Sequence, residues 1–241
     1  MNKTGIPYLD FTWNPLVGCT RHCPGCWAEK CAKRVGANIG CPACTAFTPH
    51  IHLERLGQPT KREAPAVIGP CLMGDMFDSH HDESSNIIVF ANMCYAPQHT
   101  YVLLTQQVRR TRSWATRHNF ACPNWYWGMT VRNQQEFDTR WPVFRDIPGP
   151  KWLSIEPIQA RMEIWDALDH TAGVVVGCDN RKSEPWDNAW AADIVRQCRD
   201  AQVPVFVKQL RIDGRLVTDP GQFPPDLQIR QLPWSLTTKE P

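Results

Sequence analysis

The chain has 241 residues, 42% of them hydrophobic, enough for one domain of moderate size with an ordinary core. A formal net charge of only +2 excludes any global electrostatic pull toward nucleic acid. No apolar run approaches the roughly 18 residues that a membrane-spanning helix needs, and Met1 to Gly5 lack a signal-like apolar stretch, so a cytoplasmic protein without membrane contact is expected.

Taken in order, residues 8–17 alternate as a short strand that runs into a loop carrying Cys19, Cys23 and Cys26. Trp27 to Val35 read as a helix ended by Gly36. Residues 36–65 form a loop-rich insertion, Ala66 to Leu72 a buried strand, and Ser84 to Tyr95 a helix capped by Ser84 or Ser85. Strands are predicted over Thr100–Thr105, Trp125–Val131, Lys151–Glu156, Ala172–Gly177 and Val203–Gln209. Helices are predicted between them over 106–118, 133–145, Met162–Leu168 and Trp186–Ala201.

This alternation predicts an α/β fold with a predominantly parallel sheet of about seven strands, as a partial (open) (βα)-type barrel, with a doubly wound sheet as the alternative. The body covers 1–212, with 36–65 as its insertion, and 213–241 is a tail that wraps the surface.

Eleven cysteines without an export signal point to metal binding rather than disulfides. Cys94 and Cys198 lie in apolar-periodic stretches and read as core. The spacing CxxxCxxC of Cys19, Cys23 and Cys26 supplies three thiolates, whereas a closed zinc site or a fully protein-held [4Fe–4S] cluster takes four. Three ligands leave one coordination position open for chemistry. Cys31, Cys41 and Cys44, with His50 and His52 nearby, offer a second metal site for zinc or an auxiliary iron–sulfur cluster; free thiols on a surface insertion are the competing interpretation. The two histidines are expected to serve in packing.

Function in parallel α/β folds gathers at the carboxyl ends of strands. Those ends carry Gly74 and Asp75, Thr105 and Gln106, Thr130 and Arg132, Ser154 and Glu156, Cys178 and Asp179, and Lys208 and Gln209. Asp75 is placed to pair with an ammonium group. Glu156 is catalytic, ligand-orienting or ion-paired with Lys208. Arg109, Arg110 and Arg112 either touch phosphate or form a solvated helix face.

The CxxxCxxC loop after a first strand, followed by βα repeats, resembles the radical S-adenosylmethionine superfamily. Thr12-Trp13-Asn14-Pro15, Gly18-Cys19 and Cys26-Trp27-Ala28-Glu29 resemble more closely its phage-type three-cysteine-motif family. Further similarity runs through Met73–Phe77, Ala96–His99, Leu103–Thr105, Trp127-Gly128, Leu153–Pro157 and Val205–Gln209, so that residues 11–210 are covered. Gly25 replaces the aromatic residue usual before the third cysteine, Gln106 and Arg132 replace a lysine and an acidic residue, and Cys178-Asp179 departs from Gly-Glu.

The resemblance implies a [4Fe–4S] cluster on Cys19, Cys23 and Cys26, with S-adenosylmethionine chelating the open iron and yielding a 5′-deoxyadenosyl radical that abstracts hydrogen from substrate. Gly74, Asp75, Thr130 and Ser154 are its implied cofactor contacts, and Glu156 and Lys208 its catalytic candidates. A flavodoxin or ferredoxin is the implied electron donor. A nucleotide base of phage DNA is the implied substrate, to be isomerised or modified; a peptide or small metabolite is the competing class. The alternative of another kind is a zinc-stabilised, non-catalytic binding module using Cys19, Cys23, Cys26 and Cys31.

Overall fold

Short buried runs set the strands and amphipathic segments the helices, and the chain gathers into two units. The computed structural model describes residues 1–118, 122–181 and 183–236. The first unit is built on Met1–Thr111 with Cys122–Tyr126. It begins with β1 (Asn2–Lys3), β2 (Phe11–Trp13) and β3 (Leu16–Val17). The single strand predicted over 8–17 is thus cut in two. Pro15 has no N–H to donate, and Asn14 Oδ1 turns away to accept from Met73 N at 2.9 Å.

Next come α1 (Trp27–Ile39), α2 (Pro42–Ala46), β4 (His50–Ile51), β5 (Val67–Pro70), α3 (Glu83–Cys94), β6 (Thr100–Val102) and α4 (Val108–His118). The helix α1 passes through Gly36 and ends at Gly40, whose φ of +65° makes the left-handed cap. Gly36 has another use: a Cβ there would lie 2.6 Å from Cys44 Cβ and from Thr45 N, so the missing methyl is what allows α2 to dock on α1. The insertion predicted as loop-rich therefore holds a helix and a strand. Asp82 rather than Ser84 or Ser85 caps α3, accepting from Ser85 N at 2.8 Å. Cys94, expected in the core, is exposed, while Cys198 is fully buried.

The second unit takes Trp127–Ser235 with the segment from Arg112. The strand β7 (Trp125–Thr130) gives its first residues to the first unit. Then follow α5 (Gln134–Phe144), β8 (Lys151–Ile155), α6 (Trp165–Leu168), β9 (Gly173–Gly177), α7 (Asn188–Asp200), β10 (Val205–Ile212) and β11 (Arg215–Val217). Trp152, Phe144 and Val174 to Val176 are buried here. Within the predicted tail, Ile229 O accepts from Val207 N and Gln231 N donates to Val205 O, each at 2.9 Å, and Trp234 meets Trp152 edge-on at 5.7 Å. Residues 237–241 of that tail lie outside the described residues.

The fold is α/β, with a main sheet in the order β1-β2-β5-β6-β7-β8-β9-β10-β11 and a separate pair β3-β4. Its nine strands exceed the predicted seven by two antiparallel edges, β1 on β2 and β11 on β10. Both edges are short and largely exposed, so no apolar alternation marks them. The parallel strands follow chain order without reversal, unlike a doubly wound sheet with its switch point. Among the described residues, no helix is long and apolar enough to cross a membrane.

An alanine in place of a helical glycine ordinarily stabilises by about 0.5–1 kcal/mol. At Gly36 the sign should reverse, because the new methyl meets α2 at 2.6 Å. Gly36→Ala is expected to lower stability by about 1–3 kcal/mol, as for other overpacked sites. Gly5→Ala, with nothing within 4 Å, serves as the neutral reference; urea midpoints of the two variants check the difference.

Candidate metal centres

The three cysteines of the CxxxCxxC loop lie in the first unit, on the turn between β3 and α1. Cys26 caps α1, its Sγ accepting from Glu29 N at 3.5 Å, and Cys19 Sγ accepts from Arg21 N at the same distance. Cys19 is buried, whereas Cys23 and Cys26 are half-buried. Burial pushes the Cys19 thiol up to about 12 against the opposing Arg21 N–H, and the Asp75 and Asp78 carboxylates add to the rise. Burial also works against ionisation of Asp78, but the His80 and Thr20 N–H groups, the Thr20 hydroxyl and the Cys19 thiol outweigh it and hold that carboxyl low. Asp78 is a partner of the loop that the sequence did not single out.

A backbone contact joins this loop to the Gly74-Asp75 turn beyond β5. Gly18 and Gly74 form an isolated parallel bridge, with Gly18 N donating to Met73 O at 3.0 Å. A Cβ on Gly74 would stand 2.3 Å from Gly18 O, so only glycine fits. Thr20 adds two bonds to Asp78 Oδ2, from N at 2.8 Å and from Oγ1 at 2.9 Å.

The Asp75 carboxylate is engaged within the fold. It accepts from Phe77 N at 3.0 Å, Gln106 N at 2.8 Å and Thr105 Oγ1 at 2.9 and 3.0 Å. Burial raises its carboxyl, and these donors oppose the rise. Asp75 thus ties the end of β5 to the end of β6. Two buried polar atoms near the same turn have no hydrogen-bond partner, Gln106 Oε1 and His81 Nε2. His81 is only 4% exposed, and burial holds its imidazole below the ordinary histidine value.

A second group gathers where α2 and β4 meet. One ligand atom from each of Cys41, Cys44, His50 and His52 lies within 4.8 Å of the others. His50 Nε2 stands 3.3 Å from Cys44 Sγ and 3.7 Å from Cys41 Sγ, and His52 Nε2 stands 3.1 Å from Cys44 Sγ and 2.9 Å from His50 Nε2. Cys41 caps α2 and accepts from Cys44 N at 3.4 Å. Burial, with the Cys41 thiol adding, pushes Cys44 up to about 11. His50 and His52 were assigned above to packing; they converge here because residues two apart on an extended segment share a face, a signal present in the sequence. Cys31 stays outside the group, on α1.

In the second unit, Thr130 and Ser154 are register partners at the carboxyl ends of β7 and β8, and both are buried. Ser154 Oγ donates to Glu156 Oε1 at 3.3 Å, and Lys208 Nζ pairs with Glu156 Oε2 at 2.6 Å. Glu156 and Lys208 are thus joined, as one of the three options at Glu156 requires. Arg132 pairs with Glu136 on α5. The basic run is partly spent on protein: Arg110 Nε donates to Phe77 O at 3.0 Å, and Arg112 pairs with Asp146 at 3.1 Å.

A family model described as "Protein of unknown function (DUF5131)" matches residues 3–216. The chain belongs to that family. No curated protein and no solved structure matches it. The match runs across the cysteine loop, the Gly74-Asp75 turn, the Cys41–His52 group and the Glu156–Lys208 pair.

Asp75→Asn removes one acceptor oxygen from a buried carboxylate that three donors share. It is expected to cost about 1–3 kcal/mol, the penalty for an unsatisfied buried donor. A fall in the urea midpoint with unchanged slope would register it.

Proposed function

We propose that the chain is a radical S-adenosylmethionine enzyme, with Cys19, Cys23 and Cys26 as the cluster ligands. The observation that supports it best is the Gly18–Gly74 bridge, which holds the three-thiol loop directly against the Gly74-Asp75 turn. The residues present fit such a group. The three thiols are free, two of them accept N–H bonds of the kind that tune cluster sulfurs, and Gln106 Oε1 and His81 Nε2 are buried polar atoms awaiting a partner. A four-iron cluster binds each thiolate through a different iron, so its ligands stand further apart than those around a single ion.

When bound, the cluster would supply the electron that splits S-adenosylmethionine into methionine and a hydrogen-abstracting 5′-deoxyadenosyl radical. The chain's own residues bind and orient. Asp75 holds the turn rigid through Thr105 and Gln106, leaving the backbone of Gly74 to meet the cofactor's amino group. A partial (βα) barrel is the form of sheet that accompanies this chemistry. The proposed substrate is a nucleobase of phage DNA, following the phage-type resemblance, with a flavodoxin or ferredoxin as electron donor.

A second interpretation, a metal-stabilised binding module, is favoured by one observation, the four converging ligand atoms of Cys41, Cys44, His50 and His52. It no longer needs Cys31, which lies outside that group.

Anaerobic reconstitution with iron and sulfide separates the two. The enzyme should bind iron and release 5′-deoxyadenosine on reduction with S-adenosylmethionine. Single Cys19→Ala, Cys23→Ala and Cys26→Ala variants should each lose the cluster, whereas Cys94→Ala should retain it. Failure of the wild-type chain to take up iron would leave the binding module. Comparing deoxyadenosine yield with nucleosides, duplex DNA and peptides identifies the substrate class.

A further inference from the structure

From the geometry of the Cys41–His52 group we infer a structural zinc site, closed by Cys41, Cys44, His50 and His52, that clamps the segment supporting the cysteine loop. Both thiols are free, so no disulfide explains their approach. A tetrahedral zinc ion with bonds of about 2.0–2.3 Å has ligand–ligand edges of about 3.3–3.8 Å. Four of the six ligand–ligand separations, at 2.9, 3.1, 3.3 and 3.7 Å, fall within a few tenths of an ångström of those edges, and the other two lie within 4.8 Å.

The hydrogen bonds behind the histidines fix their tautomers. His50 Nδ1 lies 2.7 Å from Thr48 O, and His52 Nδ1 lies 2.8 Å from Glu54 Oε1. A carbonyl and a carboxylate only accept, so Nδ1 of each ring is the donor to them and Nε2 is the atom turned toward the thiols. The two Nε2 atoms face each other at 2.9 Å and both face Cys44 Sγ, at 3.3 and 3.1 Å, so the four ligand atoms surround one point. A metal ion satisfies both rings and both thiolates at once. The Nδ1 bonds are the outer support that metal-bound histidines ordinarily have, and the Cys44 N–H to Cys41 Sγ bond supports a thiolate in the same way.

The donor set selects the metal. Two sulfurs and two imidazoles in a tetrahedron suit zinc, and four protein ligands leave no position for substrate, so the site is structural rather than catalytic. Its place in the fold gives it a task. Val17 pairs with His50 and Leu16 with Ile51, His52 N donates to Pro15 O at 2.7 Å, and Cys19 N donates to Phe47 O at 3.4 Å. A Cβ on Gly18 would lie 2.4 Å from Thr48 O. The clamped segment is therefore the template on which residues 15–19 lie. This inference does not depend on iron binding at Cys19, Cys23 and Cys26.

Full-length protein produced with added zinc should hold one zinc per chain through gel filtration. X-ray absorption at the zinc edge should show two sulfur and two nitrogen neighbours, a measurement that needs no variant. Replacing zinc with cobalt(II) should give the strong visible bands of a tetrahedral thiolate site. Cys41→Ser with Cys44→Ser should abolish retention, while the triple Cys19, Cys23 and Cys26 alanine variant should keep the zinc. Zinc-free protein, a four-sulfur shell, or zinc retained by the Cys41/Cys44 variant would overturn the site. Loss of iron alone would count against the proposed enzyme and leave the zinc site standing.

Discussion

Two glycines with no room for a side chain hold the first unit together. Gly74 cannot carry a Cβ because Gly18 O would lie 2.3 Å away, and Gly18 cannot because Thr48 O would lie 2.4 Å away. Three segments therefore meet backbone to backbone: the cysteine loop, the turn beyond β5 and the stretch between α2 and β4. Each brings polar groups that could not face one another across ordinary side chains. The φ of +96° at Gly18 adds a second reason for glycine there, since it lies in the left-handed region.

Around that junction the fold buries groups that do not favour burial. The Cys19 thiol, the Asp75 and Asp78 carboxylates and His81 are all largely shielded from water, and backbone N–H groups satisfy much of their capacity. Low local dielectric makes each remaining unpartnered atom costly and each added partner valuable. The two candidate centres differ in what they leave unsatisfied. Four ligand atoms converge at Cys41, Cys44, His50 and His52, a number that closes a coordination shell. The neighbouring loop carries three free thiols, and two buried polar atoms near it, Gln106 Oε1 and His81 Nε2, have no hydrogen-bond partner.

Much of the fold was legible because hydrophobic period and turn residues are local properties. The parallel strands and the longer helices were placed to within a few residues. Less legible were features set by a partner distant in sequence. Gly36 looks like a helix stop until α2 is seen packed on it. Cys94 shares the apolar spacing of its helix yet points outward, since periodicity alone does not say which side another element covers. The edges β1 and β11 carry no apolar alternation, and each pairs with one neighbour, β2 and β10. The tail after Asp213 reads as turns, but its backbone donors find β10.

The sequence by itself determined the alternation of strand and helix, the three-thiol spacing of Cys19, Cys23 and Cys26, and the polar character of the strand ends, because each depends on residue type at short separation. Only the tertiary structure decided which of those groups meet. It set His50 and His52 against Cys41 and Cys44 and left Cys31 apart, since β4 pairs with β3 while α2 docks on Gly36. It also turned Asp75 inward, onto Thr105 and Gln106 some thirty residues on, because a buried carboxylate takes the nearest donors the packed strands present.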